Sequence, residues 1–431
     1  MSKMESSKVE QKLKSALDEA TTTRLGRETG LTERIRVVTP HGLALSLIDA
    51  MAGQRVETIA DVMRRFIDAT GNSVQYKPFH KQLAKPAFSE FMRKVLCHLM
   101  SKLVLDVLRP KAGSPLAKFE DILLHDGSSF AVHDALAERF PGRFTKHSPA
   151  AVELHATMSL LQDTIIRVTL TADTTGERSQ LPAAETLRNK LIIKDRGYED
   201  RERFAEIMAA GGSFLVRCKT NANPFVEECR VDGRRIRPWC RRNLADFRHK
   251  LAGKDAGLNV CWRRRGQDVK YRVVLVWNPI HKAHMVLATN LSAVDFDVAE
   301  LRRLYAVRWQ IELAFKEWKS YASLRKFNTR NPAIVQGLIW AALAAALLKR
   351  FLAHAAQHVH RVATSTRIAA MCAGEHVRAI LKAAISGAPL IGLVRAALAY
   401  IADAAPRAHP RRDAVSGRLS ASFEVAVQHG V

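Results

Sequence analysis

After Ala117 the chain changes texture in a way that few folds accept. Three β-rich runs come first, DILLHDGSSFAVHD, VELHATMSLLQ and TIIRVTLTAD, and only a polar turn at Gln162 and Asp163 separates the last two. So short a turn makes that pair an antiparallel hairpin. PAAETLRNK then reads as a helix, LIIKD as a short apolar strand, ERFAEIMAAGG as a helix stopped by glycine, and SFLVRCK as a further strand. The order β, β, β, α, β, α, β predicts an α/β fold, with a mixed sheet and helices packed on its faces.

The flanks differ. Residues 1–37 are polar and of mixed charge, and read as a flexible arm with partial helix as the alternative. From 38 to 118 the pattern is helical, in HGLALSLIDAMA, VETIADVMRRFIDAT and PAFSEFMRKVLCHLMSKLVLDVLR, with breaks at GNS and at Pro78 and Pro86. Residues 119–220 hold the mixed sheet. Residues 221–295 are short strand-like pieces around the arginine-dense IRPWCRRNLADFRHK, a β-rich insertion before the helix of 296–330. Residues 331–431 are Ala- and Leu-rich and mostly helical. A chain of 431 residues exceeds what one core usually serves, so two or three domains are expected.

Charge narrows the partners. Lys and Arg number 67 against 42 Asp and Glu, a formal net charge of +25. Counterion release rewards such a chain for binding nucleic acid, with an anionic membrane surface as the rival. The longest apolar run, Ile334 to Leu348, contains Gln336 and is shorter than the ~18 to 20 residues of a membrane span, so it reads as a buried helix. The N-terminal residues lack a secretory h-region, and the six cysteines form no CxxC pair, which argues against a zinc ribbon and for reduced thiols in a cytoplasmic protein.

Three carboxylates stand out by position. Asp126 ends the apolar run ILLH, Asp195 ends LIIK, and Glu312 lies within YAVRWQIELAFKEWK at 305–319. Strand-ending aspartates are common turn formers, which is the ordinary alternative for each. The third stretch tips the balance. At about 100° per residue, Tyr305, Arg308, Glu312, Lys316 and Lys319 share one stripe, while Leu304, Val307, Ile311, Phe315 and Trp318 form the adjoining apolar face. A solvated charge stripe is the plain reading. The alternative is an all-oxygen site for Mg²⁺ or Mn²⁺ with cations beside it to hold phosphates.

The spacing Tyr-x2-Arg-x3-Glu-x6-Lys, met by Tyr305, Arg308, Glu312 and Lys319, resembles the YREK signature of DDE transposases in the bacterial insertion-sequence group numbered four. Asp126 in HDGS resembles that group's first-aspartate strand, Asp195 in KDRGY its second, and VLATNL the strand before the glutamate helix. The likeness covers roughly residues 119 to 330. It implies an RNase H-like core interrupted by a β insertion, with Asp126, Asp195 and Glu312 as catalytic ligands of two Mg²⁺ ions, Mn²⁺ substituting. It implies binding of terminal inverted repeats, cleavage at the element ends, joining of 3′-hydroxyls to target DNA, and a homodimer that synapses two ends. Tyr305, Arg308 and Lys319 resemble residues that grip DNA phosphates, and Lys316, Arg217 and Lys219 join them as DNA-binding candidates. Hairpin-forming members of the group carry a Trp just before the strand that here reads VLATNL, where Met285 stands. Trp239, Trp262 and Trp277 are the candidates to replace it, with core packing as the alternative role for each and a direct nick-and-join as the alternative route.

Arg234, Arg235, Arg237, Arg241 and Arg242, with Arg263 to Arg265, are expected to form a phosphate-binding surface. Sequence reading of the repeats is assigned to the N-terminal helices around VQYKPFHKQL. The location expected is the bacterial cytoplasm, at the nucleoid. The rival readings are an RNase H-like nuclease that never joins strands and a non-catalytic DNA-binding regulator of transposition.

Overall fold

The β-rich runs assemble into one eleven-stranded sheet. The computed structural model describes residues 5–34, 36–53, 57–264, 267–321, 328–407 and 423–425. In chain order the strands are β1 (Asp121–Ala131), β2 (Ala151–Ser159), β3 (Thr164–Ala172), β4 (Lys190–Lys194), β5 (Ser213–Cys218), β6 (Phe225–Val231), β7 (Arg234–Arg235), β8 (Arg242–Asn243), β9 (Ala256–Arg264), β10 (Gln267–Asn278) and β11 (Ala283–Thr289). Across the sheet they run β3-β2-β1-β4-β5-β11-β10-β9-β6-β7, with β8 beside β6.

The first five strands carry the core. β1 to β3 form an antiparallel meander, and β4 and β5 lie parallel to β1. This mixed α/β arrangement is the RNase H-like sheet that the sequence implied. Residues 225–289 continue the same sheet through antiparallel pairs, starting where β11 joins β5.

Three expectations are corrected. β1 does not stop at Asp126 but runs five residues further, because Asp126 to Ala131 stay paired with β2. PAAETLRNK forms no α-helix. Only a 3₁₀ turn covers Ala184–Leu187, since Asn189, at φ 55°, turns the chain straight into β4 and leaves no room for further turns. Residues 1–37 are not simply a flexible arm: Ser6–Ala16 and Glu19–Glu28 are helices that bury Val9, Leu13, Ala16 and Leu25. Their apolar stripe is one residue wide, too thin to stand out in so polar a stretch.

Helices cover both faces. One face packs against Val298–Ala306, Trp309–Tyr321 and the 29-residue helix Pro332–His360, the other against Arg201–Ala209 and the insertion's small core. The long helix is apolar and long enough to cross a membrane, yet 83% of its most apolar window is buried inside the protein. It packs on the N-terminal helices Pro86–Lys102 and Pro40–Ala52 so closely that a Cβ on Gly337 would lie 2.1 Å from the Phe88 ring.

Candidate active site

Sheet register brings the two aspartates together. β1 and β4 run parallel with His125 opposite Lys194, so Asp126 and Asp195 follow side by side on one face. β5 adds Arg217, one residue past the Lys194–Val216 pair, with its guanidinium 3.9 Å from Asp195 Oδ1.

The third carboxylate comes from above this face. Leu304, Val307, Ile311, Phe315 and Trp318 are all buried, as the apolar face of a covering helix requires. The segment is two helices, however, not one. Val298–Ala306 ends and Trp309–Tyr321 begins across a tight turn in which the Arg308 N–H donates to Tyr305 O at 3.1 Å and the Ile311 N–H to Arg308 O at 3.2 Å. Arg308 sits in that turn. Its guanidinium donates to Asp126 Oδ2 at 3.0 Å and to Glu312 Oε1 at 2.6 Å, tying strand to helix, and its side chain is 11% exposed. The Tyr305 hydroxyl donates to Asp195 Oδ1 at 2.9 Å.

The electrostatics follow from this packing. Burial pushes Asp126 up to about 6, against the pull of Arg308 and of the Gly127 N–H that donates to it at 2.9 Å. Burial also works on Asp195, but the Arg196 N–H, Arg308, Tyr305 and Arg217 outweigh it and hold that carboxyl below its usual value. Burial opposes the charge on Arg308, yet the Tyr305 oxygen and the neighbouring carboxylates raise its pKa further. Among the described residues no three His, Cys, Asp or Glu side chains form a ready cage for an ion. Arg308 stands between Asp126 and Glu312 instead.

The other predicted residues divide by location. Lys316 and Lys319 are exposed on the glutamate helix, with the Lys316 ammonium 4.8 Å from the Trp309 ring centre. Lys219 is exposed just beyond β5. Arg234, Arg235, Arg237, Arg241 and Arg242 are exposed at the far edge of the sheet and are not gathered with the carboxylates. Arg263 and Arg264 end β9, and Arg265 lies outside the described residues. Strand alternation puts Trp262 and Trp277 on the face opposite the carboxylates, and Trp239 packs on that face too, against Phe247. Met285 lies on the carboxylate face.

Two features escaped the sequence. Trp309 is 37% exposed beside Arg308; its wheel angle, on the polar stripe, was the available signal. Glu317 is buried and bonds Arg350 of the long helix at 2.8 Å and the Thr366 hydroxyl at 2.6 Å, while Arg350 also holds Asp163 in the β2–β3 turn at 2.6 Å. No local pattern announces so distant a network.

Known proteins share this framework. The family described as Transposase DDE domain matches residues 117–348, more than half of the chain and all of the residues that build the site. The transposase for insertion sequence element IS1151 of Clostridium perfringens is 20% identical over 285 residues, 56% of this chain and 60% of that protein. The match thus spans under two thirds of that relative's length. The transposase for IS231C of Bacillus thuringiensis subsp. berliner is 21% identical over 341 residues, 71% of each chain. A solved piggyBac transposase synaptic complex with hairpin DNA covers 93% of this chain and 86% of its own at 11% identity, with a TM-score of 0.47. By the family match, the chain belongs to the transposase DDE domain family.

Proposed function

We propose that the chain is an insertion-sequence transposase that binds terminal inverted repeats, cuts DNA at the element ends and joins the freed 3′-hydroxyls to target DNA. The observation that carries this reading is the meeting of Asp126, Asp195 and Glu312 around Arg308 and Tyr305. Their oxygens are the donors that hard cations take, and a cation, the Arg308 guanidinium, already bridges two of the carboxylates. The residues therefore fit a divalent ion. Asp126, Asp195 and Glu312 would hold two Mg²⁺ ions, with Mn²⁺ as a substitute, and such ions when bound activate an attacking oxygen and stabilise the leaving oxygen of a phosphodiester.

The chain's own side chains do the rest. Arg308 exchanges its carboxylate partners for a DNA phosphate, which its planar fork can hold bidentately. Tyr305 orients Asp195 and then a phosphate, while Lys316, Lys319, Arg217 and Lys219 line the approach with positive charge. Tyr305, Arg308, Glu312 and Lys319 keep the YREK spacing, and we place the chain in that group. Residues 38–118 are read as the end-binding domain, with the exposed Tyr76, Lys77 and Lys81 of the helix Tyr76–Leu83 facing the repeat. A homodimer acting at the nucleoid completes the reading.

The test is purified protein, Mg²⁺ and a plasmid carrying the inverted repeats that flank the gene, followed by gel analysis and sequencing of products. Double-strand release at the repeats and insertion with a target duplication are expected from the wild type and not from Glu312→Ala. Cutting without joining would favour a nuclease. Uncut plasmid with both proteins would overturn the catalytic reading.

A further inference from the structure

The sheet's hydrogen bonding stops just short of the two aspartates. β1 pairs with β4 from Asp121 with Lys190 through His125 with Lys194, and β4 pairs with β5 only as far as Lys194 with Val216. Asp195 therefore lies beyond both ladders, and Asp126 keeps only its pairing with β2. Strand pairing alone does not hold these two carboxylates at one separation.

A brace lies behind them. Each aspartate is followed by a glycine, Asp126 by Gly127 at once and Asp195 by Gly197 two residues on, and neither glycine has the positive φ that would itself call for one. Space calls for it instead. A Cβ on Gly127 would lie 2.5 Å from Glu153 Oε1 and 3.3 Å from the Tyr198 hydroxyl, and a Cβ on Gly197 would lie 2.6 Å from Glu177 Oε2. A carboxylate thus closes over each glycine. Glu153 is buried, and its place opposite Ser129 puts it with Gly127 on the face away from the Asp126 side chain. One cation holds both carboxylates: the Arg143 guanidinium donates to Glu153 Oε2 at 2.6 Å and to Glu177 Oε1 at 3.2 Å. Arg143 is itself fixed, its Nε donating to Asp173 O at 2.6 Å and its backbone N–H to Asp173 Oδ2 at 2.8 Å.

We propose that Arg143 is a positioning residue, which fixes the separation of Asp126 and Asp195 by pressing Glu153 against Gly127 and Glu177 against Gly197. The inference rests on the reading of these aspartates as metal ligands above, and adds to it what keeps them in register. Carboxylates that share ions must hold their places as ions and DNA enter, and partners outside the ligands themselves commonly do this. Arg308 cannot, because it gives up Asp126 and Glu312 when a phosphate arrives. Arg143 stays, since its planar fork meets two carboxylates at once on the side that the DNA does not reach.

The experiment uses the full chain and compares wild type with Arg143→Gln, Arg143→Lys, Gly197→Ala and the double variant Arg143→Gln/Gly197→Ala, with folding checked by thermal melts. Mn²⁺ binding is measured by titration calorimetry, metal-free binding of a duplex carrying the gene-flanking repeat by fluorescence anisotropy, and cleavage of that duplex as kcat and KM. Losing an outer partner of a metal ligand lowers metal affinity or activity by about ten- to a hundredfold. That fall is expected for Arg143→Gln in both Mn²⁺ affinity and kcat, with KM and duplex binding unchanged and a partial return in Arg143→Lys. Gly197→Ala leaves every charge in place, yet it should match Arg143→Gln, because its methyl and the Glu177 carboxylate must part by roughly 1 Å to reach ordinary contact. Both changes break one brace, so the double variant should lose no more than either single. Wild-type Mn²⁺ affinity and kcat in either folded single variant, losses that multiply in the double, or an effect on KM alone would overturn the inference. If Arg143→Gln fails to fold, Gly197→Ala against wild type decides. A wild type that binds Mn²⁺ and cuts no duplex would remove the catalytic reading, and the Mn²⁺ affinities would still judge the brace.

Discussion

Arg308→Ala is the change whose consequences the site defines most sharply. The guanidinium makes two charge-assisted bonds, to Asp126 at 3.0 Å and Glu312 at 2.6 Å, with little exposure to water. Truncating one partner of a buried, hydrogen-bonded ion pair typically costs about 3 to 5 kcal/mol, because the other charge is left unanswered. Here two carboxylates are left, beside a third at Asp195. A divalent ion would meet in the wild type an occupied site, and it must first release the guanidinium. In the variant it meets carboxylates that gain by any cation. If about 3 kcal/mol of that penalty is recovered on binding, the variant should hold Mn²⁺ about a hundredfold more tightly, at 1.4 kcal/mol per decade. Titration calorimetry with Mn²⁺ on DNA-free protein measures this directly, and a thermal melt with and without the ion gives an independent reading through ligand linkage. Activity should move the other way, since the variant loses a phosphate contact. Mn²⁺ affinity equal to the wild type's, or weaker, would refute the idea that Arg308 and the ion compete for one place.

Other changes probe the framework. Arg350→Ala leaves Glu317 and Asp163, whose side chains are only 11% and 18% exposed, without their cation, so it should destabilise the chain by about 3 kcal/mol in denaturant unfolding, whereas Arg350→Lys should recover part of the loss. Gly337→Ala puts a methyl 2.1 Å from the Phe88 ring between the N- and C-terminal helices, and overpacking of this kind should cost about 1 to 3 kcal/mol by the same assay. Burial, against the opposing charge of Asp163, pushes His354 down to about 4 from an ordinary value of 6.5, so the folded state favours the neutral ring. That contribution is whole above pH 6.5 and is lost as pH falls towards 4. Relative to His354→Gln, the wild type should therefore lose about 3 kcal/mol over that interval, measured as the pH dependence of the stability difference. Equal pH profiles would show that His354 is not held neutral.

The sheet was legible because its signals are local. The β-rich composition of β1 to β3, the polar turn at Gln162 and Asp163 and the short apolar runs each act within a few residues. The two aspartates were legible for the same reason, as polar residues where apolar runs stop. What stayed hidden depends on partners far along the chain. The strand past Asp126 looks too polar for a core, and it persists because β2 supplies its hydrogen bonds. The N-terminal helices are polar apart from Val9, Leu13, Ala16 and Leu25, which only the helices they dock on make decisive.

The charges in YAVRWQIELAFKEWK make the limit clear. Sequence periodicity sorted five polar groups onto one stripe, with Glu312 assigned to the metal site beside the aspartates and Tyr305, Arg308, Lys316 and Lys319 assigned to DNA phosphates. In the fold they serve three different places. Lys316 and Lys319 do face solvent, and Arg308 and Glu312 turn inward to the aspartates. Glu317, left unassigned, is buried against Arg350 and Thr366. Glu317 follows Glu312 by five residues, about 7.5 Å along the axis, so its bonds to the long helix and, through Arg350, to the β2–β3 turn fix the rotation of the helix that presents Glu312. A wheel drawn from one segment reports which side chains share a side. It cannot report that a second anchor, contributed by residues 163, 350 and 366, turns that side towards the carboxylates.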